Sequence, residues 1–386
     1  MPDTNLAKTF LQSLQPRLPQ MLAVVEKFVT AESPSLEKPA ADRCCALIAR
    51  EWKKRAVRVE RIAQKHRGDH LRITCTPQKS RSAGQLLVLG HYDTVYSSGT
   101  LAKMPFRVEG NKAFGPGIFD MKAGIMQALF ALDAIIAAPE KISHKRIVFL
   151  WTSDEEIGSE SSRKLLETEA RRSDAVFVLE PALGPWGLLK TSRKGVGEAE
   201  LIVHGRASHA GLAPEEGINA VHELARQITR MQSWNDPRRG ITLNADIIEG
   251  GTRTNVIADH ARTVIDLRAT HLADMQRIEA RLHKLKPILR GATLEIRGGF
   301  NRPPLERKMS TALFSQAKFV AAQINLPLGE YTAGGGSDGN LTAALGIPTL
   351  DGLGAVGDGA HSSHEHIIVN TMPALAALLA ALLATT

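Results

Sequence analysis

Neutral imidazoles and carboxylates are the donors that hold a borderline-soft divalent ion such as zinc. This chain sets them out as an ordered series: His91 in GHYDTV, Asp120 in GIFDMKAG, Glu155 and Glu156 in SDEEIGS, Glu180 in VLEP, and His361 in GAHSSHE. Each stands at the end of an apolar run or in a Gly-rich loop, where a side chain can leave the core and meet the others. The chemistry this series points to is metal-dependent hydrolysis.

The motifs carry different parts of that chemistry. His91 and Asp93 leave the apolar run QLLVLG two residues apart, and a histidine that binds metal through one ring nitrogen usually donates from the other to a carboxylate, which would make Asp93 the orienter of His91; the same H-x-D tripeptide also caps ordinary turns. Adjacent carboxylates such as Glu155 and Glu156 repel unless something positive offsets them. A metal does so, and it divides their labour into one ligand and one general base for a water proton. Acidic pairs also complement helix dipoles, and the helical pattern SESSRKLLETEA follows this one. Glu180 closes the run AVFVLE, a third acid or histidine at a strand end. Asp120 is the candidate for a carboxylate bridging two ions roughly 3.5–4 Å apart, or simply a helix N-cap. His361, His364 and His366 share one Gly-rich loop, and composition does not choose among them. TAGGGSDGN lacks the GK[ST] of a phosphate cradle and reads as a loop close to substrate or a turn.

Elements of two kinds must position these residues. Gln85–Gly90, Arg146–Trp151 and Ala175–Glu180 are continuous apolar runs, expected of strands covered by helices on both faces. Ligands of open α/β sheets gather at the carboxyl edge of such strands. Helices are expected over Leu11–Val29, Ala41–Trp52 and Lys122–Ala138, the last placing Asp120 at a helix N-terminus. From Gly195 the rhythm changes to alternating strands in the order β-α-β-β-α-β, the signature of a split βαβ, ferredoxin-like module. After Pro303 and Pro304 the α/β rhythm returns and ends in an Ala/Leu-rich closing helix. The fold class is therefore α/β: a discontinuous catalytic domain (residues 1–194 and 305–386) with an inserted ferredoxin-like domain (195–304).

Composition narrows the function. With 386 residues and 43% apolar content the chain can bury more than one core. The formal charge of +8 comes from 48 basic residues dispersed among 40 acids, without the aromatic-interleaved basic stripe of a nucleic-acid binder. The three cysteines form neither a disulfide framework nor a CxxC metal knuckle. No apolar stretch approaches the roughly 20 residues that span a bilayer, and the N-terminal segment shows no basic region followed by an apolar core and a cleavage site. A cytoplasmic protein without nucleic-acid or membrane partners is expected.

Taken in order, these motifs resemble the M20 zinc peptidase family, especially its carboxypeptidase G2-like and aminoacylase-like members, over nearly the whole chain. The resemblance implies that His91 and Glu180 bind one zinc, Glu156 and His361 a second, and Asp120 bridges them. Two Zn2+ per subunit are expected, although cobalt or manganese would suit the same donors. The resemblance further implies that Glu155 is the general base, that Asp93 orients His91 and that the Asp120–Met121 peptide is cis. His361 is preferred to His364 by the pattern H-S-x-x-E, read as His361, Ser362 and Glu365. GRASHAGLAPEEGINA resembles the family's most recognisable lid segment, giving His209 the polarisation of the scissile carbonyl. Asn255 and Arg268 match substrate-binding positions, and Gly335 lies in a loop close to substrate.

The inserted module corresponds to the family's lid or dimerisation domain, so a homodimer through it is expected. The implied activity is zinc-dependent carboxypeptidase action: hydrolysis of the amide bond before a C-terminal amino acid, glutamate in the first instance, by metal-activated water. N-acyl-amino-acid deacylase or dipeptidase action needs the same metal core. A non-catalytic metal-binding scaffold is the alternative of another class, but its mark, loss of Glu155 or of a ligand, is not found.

Overall fold

The computed structural model describes residues 5–76, 84–138, 145–184 and 187–386, so Met1–Thr4 of the N-terminal segment read above lie outside the described residues. The chain divides into two compact units, one of Met1–Thr191, Arg307–Thr332 and Ser337–Thr386, the other of Ser192–Glu306 with Ala333–Gly336. The expected insert, 195–304, falls inside the second unit, which also takes a short piece of the Gly-rich segment TAGGGSDGN.

In the first unit six strands lie in the order Arg58–Ile62, His70–Cys75, Arg146–Thr152, Gln85–His91, Ala175–Val178 and Thr349–Leu350. The first two pair antiparallel and the remaining four are mutually parallel. The solid apolar runs have a physical reason, because side chains alternate across a sheet and both faces here are covered. Leu86 and Val88 join the core formed with Ile125 and Leu129 of the helix Ala123–Ala137, whereas Leu87 and Leu89 join Leu166, Ala170 and Leu341 on the other face. The closing helix Met372–Thr385 is buried along nearly its whole length, as an all-round apolar helix must be.

Two helical expectations are corrected. The opening stretch is two helices, Leu6–Leu14 and Leu18–Thr30, separated by the turn Gln15–Arg17; Pro16 and Pro19 lack the N–H groups that would carry one helix through. The helix after Asp120 starts only at Ala123, and Asp120 itself has non-helical φ −113° and ψ 93°. It is therefore not the cap of that helix.

The second unit is a four-stranded antiparallel sheet in the order Thr242–Gly250, His260–Ala269, Gly195–His204 and Thr293–Arg302. The helices Ala220–Gln232 and Leu272–His283 complete the βαββαβ order. Strand His260–Ala269 buries every second residue, and Ala199, Leu201, Ile265, Leu267, Leu224 and Ile278 form the core on the covered face. The helix Ala220–Gln232 starts where Asn219 caps it, its side chain accepting the N–H of His222. Among the described residues no helix is long and apolar enough to cross a membrane.

Candidate metal centre

The strands ending at His91, Thr152 and Val178 are parallel neighbours in one sheet. His91, the pair Glu155 and Glu156, and Glu180 accordingly leave the same carboxyl edge. Gly158, in left-handed conformation at φ 97°, ends the short turn Glu155–Ile157, a conformation that a side chain at that position would resist. Asp120 comes from the turn Ile118–Lys122, which contains the cis Asp120–Met121 peptide. His361 comes from the loop before the strand His366–Ile368, itself in left-handed conformation at φ 61°.

The structure brings these six side chains into one cluster. Asp120 faces both histidines: Oδ1 lies 3.2 Å from His91 Nε2 and Oδ2 3.5 Å from His361 Nε2. Glu180 Oε1 is 3.5 Å from His91 Nε2, and Glu156 Oε2 is 3.1 Å from His361 Nε2. Donor atoms of His91, Asp120 and Glu156 lie within 4.8 Å of one another, as do those of His91, Glu155 and Glu180. Of the three loop histidines, His361 is the one beside the carboxylates. His364 Nδ1 meets Ser362 Oγ at 3.0 Å, and His366 Nδ1 donates to the His364 carbonyl at 2.9 Å.

His91 Nδ1 donates to the Asp93 carbonyl at 3.1 Å, and the Asp93 carboxylate Oδ1 is 3.4 Å away. A proton held on Nδ1 leaves Nε2 as the ring nitrogen facing the cluster, the one a bound ion would take. The nearer orienting acceptor is thus the Asp93 carbonyl rather than its carboxylate. That carboxylate accepts from Ser35 Oγ at 2.7 Å and from the backbone N–H groups of Glu155 and Glu156, each at 3.3 Å. One buried aspartate therefore fixes both the histidine and the acidic pair.

Crowded carboxylates leave the cluster short of positive charge. The contact with Asp120, then that with Glu156, drives the His361 imidazole up to about 10. Burial would lower His91, but Asp120, Asp93 and Glu180 outweigh it and hold the ring well above its ordinary value. Burial works in the opposite sense on Asp120, where His361 and His91 win and keep the carboxyl low. Glu156 is pushed up by burial, offset in part by His361. Two imidazole nitrogens, several inward carboxylate oxygens and this unmet demand for positive charge fit a pair of divalent cations sharing Asp120.

Two supporting residues play larger parts than the sequence reading gave them. The Glu365 carboxylate accepts the N–H groups of Gly117, Phe119 and Asp120 at 2.9, 2.9 and 3.0 Å. The Tyr96 hydroxyl donates to the same carboxylate at 2.7 Å. Glu365 was visible only as part of a pattern marking His361, and Tyr96 gave no signal beyond its nearness to GHYDTV. Ser35, far away in the chain, gave none.

The remaining candidates belong to the second unit and are described within it. His209 is exposed, and its Nδ1 accepts the N–H groups of Gly211 and Leu212 at 3.2 and 3.1 Å, so the ring proton resides on Nε2 as a donor. Asn255 is its neighbour, its carbonyl accepting the Ala210 N–H at 3.0 Å. Arg268 grips Asp266 through Nε and Nη2 at 2.7–3.0 Å and directs Nη1 to the Gly334 carbonyl at 3.4 Å. Gly335 is exposed next to it, its carbonyl accepting from Arg193 Nη1 at 3.2 Å.

Comparison with known proteins agrees with this architecture. The chain is 33% identical to carboxypeptidase G2 of Pseudomonas sp. (strain RS-16) over 303 residues, covering 76% of this chain and 72% of that protein. It is 29% identical to a succinyl-diaminopimelate desuccinylase of Paraburkholderia xenovorans, with 75% and 79% covered. Its fold matches the crystal structure of aminopeptidase PepT from Bacillus cereus with a TM-score of 0.78 at 22% identity, over 96% of this chain and 98% of that one. Residues 87–385 match the family described as peptidase family M20/M25/M40, and the chain is a hydrolase belonging to that family.

Proposed function

We propose that this hydrolase is a dinuclear zinc carboxypeptidase that cleaves the amide bond before a C-terminal amino acid, glutamate in the first instance. The observation that carries the dinuclear reading is the way Asp120 turns one carboxylate oxygen to His91 and the other to His361. His91 and Glu180 would hold one ion, Glu156 and His361 the other, with Asp120 shared. When bound, the ions would polarise the scissile carbonyl and lower the pKa of an attacking water.

The protein's own residues do the proton work. Glu155 takes the water proton on a carboxylate oxygen as the hydroxyl adds to the carbonyl carbon. It then delivers that proton to the leaving nitrogen as the C–N bond breaks. His209, with its proton on Nε2, donates to the carbonyl oxygen as charge develops there. Arg268 pairs with the free carboxylate of the substrate, which needs a planar fork of donors, while Asn255 and the Gly335 loop bound the substrate. The similarity to carboxypeptidase G2 favours the carboxypeptidase reading; the similarity to desuccinylases favours N-acyl-amino-acid deacylation as the second. A homodimer through the second unit is part of the proposal, and its exposed edge-strand residues Ile247 and Ile248 support it.

The deciding experiment offers the zinc-loaded chain a panel of N-acyl amino acids, dipeptides and peptides ending in glutamate, with Glu155→Gln alongside and released amino acids detected by mass spectrometry. Glutamate released selectively by the wild type is the expected result. Release only from simple acetylated or dipeptide substrates moves the assignment to deacylase or dipeptidase, and no release at all overturns it.

A further inference from the structure

We infer that an arginine-lined pocket of the first unit, at the end of the sheet away from the metal centre, binds a phosphoryl dianion, with free phosphate the minimal ligand and a small phosphate monoester the one that fills it. Four arginines, Arg58, Arg72, Arg146 and Arg172, line this pocket with only two acids, Glu60 and Glu169. Arg146 opens the strand Arg146–Thr152, whose far end leads into Glu155 and Glu156. At a rise of about 3.3 Å per residue the two ends of that strand lie roughly 20 Å apart. The pocket and the metal centre are therefore separate places.

Strand register builds the pocket. Arg58 lies opposite Thr74 and Glu60 opposite Arg72, while Thr74 lies opposite Val148 on the next strand. Because side chains alternate across a sheet, these residues and Arg146 share one face. Further along the sheet the same face buries Leu87, Leu89, Val148 and Leu150 with Leu166 and Ala170 of the helix Arg163–Ala170. That cover stops where the helix ends, and Glu169 and Arg172, at its last turn and just beyond, form one wall of the pocket. The volume is about 300 Å³, at the small end of ligand sites and enough for a phosphate with a short substituent.

Charge balance decides the ligand. Glu60 accepts from Arg58 Nη2 at 2.8 Å and from Arg72 Nε at 3.0 Å, and Arg72 Nη1 donates to Glu169 Oε1 at 2.8 Å. Glu169 is buried, and its other oxygen accepts from Gln85 Nε2 at 3.2 Å. Both acids are thus engaged. Arg146 directs its Nη2 to the neutral Gln85 amide oxygen, and Arg172 Nη1 stands 3.6 Å from the Glu169 oxygen that Arg72 already holds. Four arginines against two glutamates leave the lining with two positive charges in excess. A monocarboxylate would meet only one of them. A phosphate monoester carries about −1.5 to −2 near pH 7 with three acceptor oxygens, which suits two planar guanidinium forks and the hydroxyls of Thr74 and Thr76 in the same lining.

The test titrates the zinc-loaded full chain with inorganic phosphate, phenyl phosphate and benzoate by calorimetry. Beside it run the double variant Arg146→Gln, Arg172→Gln and the metal-centre variant Asp120→Asn. Phenyl phosphate is expected to bind the wild type about tenfold or more tightly than benzoate. The double variant should lose about 100-fold in affinity for both phosphates while keeping the metal content and circular dichroism of the wild type, and Asp120→Asn should keep the binding. Tighter binding of the ester than of free phosphate supports a monoester as the ligand, and equal binding supports phosphate itself. Affinity unchanged in the double variant, or lost in Asp120→Asn, puts the anion on the metal centre and overturns the pocket. Benzoate bound as tightly as phenyl phosphate overturns the phosphoryl assignment, and a wild type that takes up neither phosphate overturns the inference as a whole.

Discussion

Glu365 accepts the backbone N–H of Asp120 through Oε1 at 3.0 Å. The carboxylate of Asp120 reaches out to His91 and His361, so the buried glutamate fixes the main chain from which that carboxylate projects. Glu365→Gln keeps the size but turns an NH2 group toward backbone donors that need an acceptor. Metal affinity should fall about 10–100-fold, the usual cost of losing a residue that orients a ligand, while the chain stays folded. Chelator competition measures the affinity and circular dichroism the fold; unchanged affinity would remove Glu365 from the positioning role.

The sequence made much of this cluster legible, for a physical reason. Acids and histidines at the ends of solid apolar runs have nowhere to go but the carboxyl edge of a buried parallel sheet, so His91, Glu155, Glu156 and Glu180 could be placed together from pattern alone. Asp120 was harder, because the helical pattern of residues 122–138 ran up to it and hid the turn that sets it apart. The supports were not legible. Ser35 reaches Asp93 across 58 residues of chain and Glu365 reaches Asp120 across 245, and no local periodicity encodes contacts so remote. A proline overrode the apolar pattern at Pro16, where the expected opening helix divides in two.

Glu155 and Glu156 are neighbours with different surroundings, and their variants should separate cleanly. Glu156 is pushed up by burial and meets His361 at 3.1 Å, so Glu156→Gln should reduce bound metal below the wild-type stoichiometry. Glu155→Gln should keep the full metal complement yet lose about 10²–10⁴-fold in kcat, the range expected when a general base is removed. Elemental mass spectrometry of both variants beside their turnover makes the comparison. Since Glu155 also has a donor atom within 4.8 Å of His91 and Glu180, loss of metal from Glu155→Gln would recast it as a ligand.

Arg268 has a fork of donors already engaged by Asp266, and the proposed role asks it to pair with a substrate carboxylate as well. Arg268→Ala should raise KM about 10–100-fold for substrates with a free C-terminal carboxylate, the worth of a charge-assisted hydrogen bond. Metal content should not change. C-terminally amidated analogues lack the carboxylate, so for them wild type and variant should behave alike. An equal penalty on both substrate types would show that Arg268 maintains the second unit rather than reading the substrate.

Asp69 gives the first unit a pH dependence that metal binding does not complicate. Its carboxylate accepts from Lys38 Nζ and Arg61 Nη2, each at 2.8 Å, and from the Gln64 N–H at 3.0 Å. Its carbonyl accepts the hydroxyl of Tyr92, next to His91. Burial would raise this carboxyl, but Lys38, the Gln64 N–H and Arg61 outweigh it and hold the pKa below its ordinary 3.8. A group depressed in the folded state contributes stability that is fully present above its unfolded pKa and is lost as pH falls through the folded value. Asp69→Asn should therefore cost about 1–3 kcal/mol near neutral pH, measured on the metal-free chain by denaturant unfolding. The gap between the two proteins should hold down to about pH 5 and then close as acid protonates the wild-type carboxylate. A gap that persisted unchanged to about pH 2 would mean that Asp69 acts through shape rather than charge, and that Lys38 and Arg61 gain nothing from its ionisation.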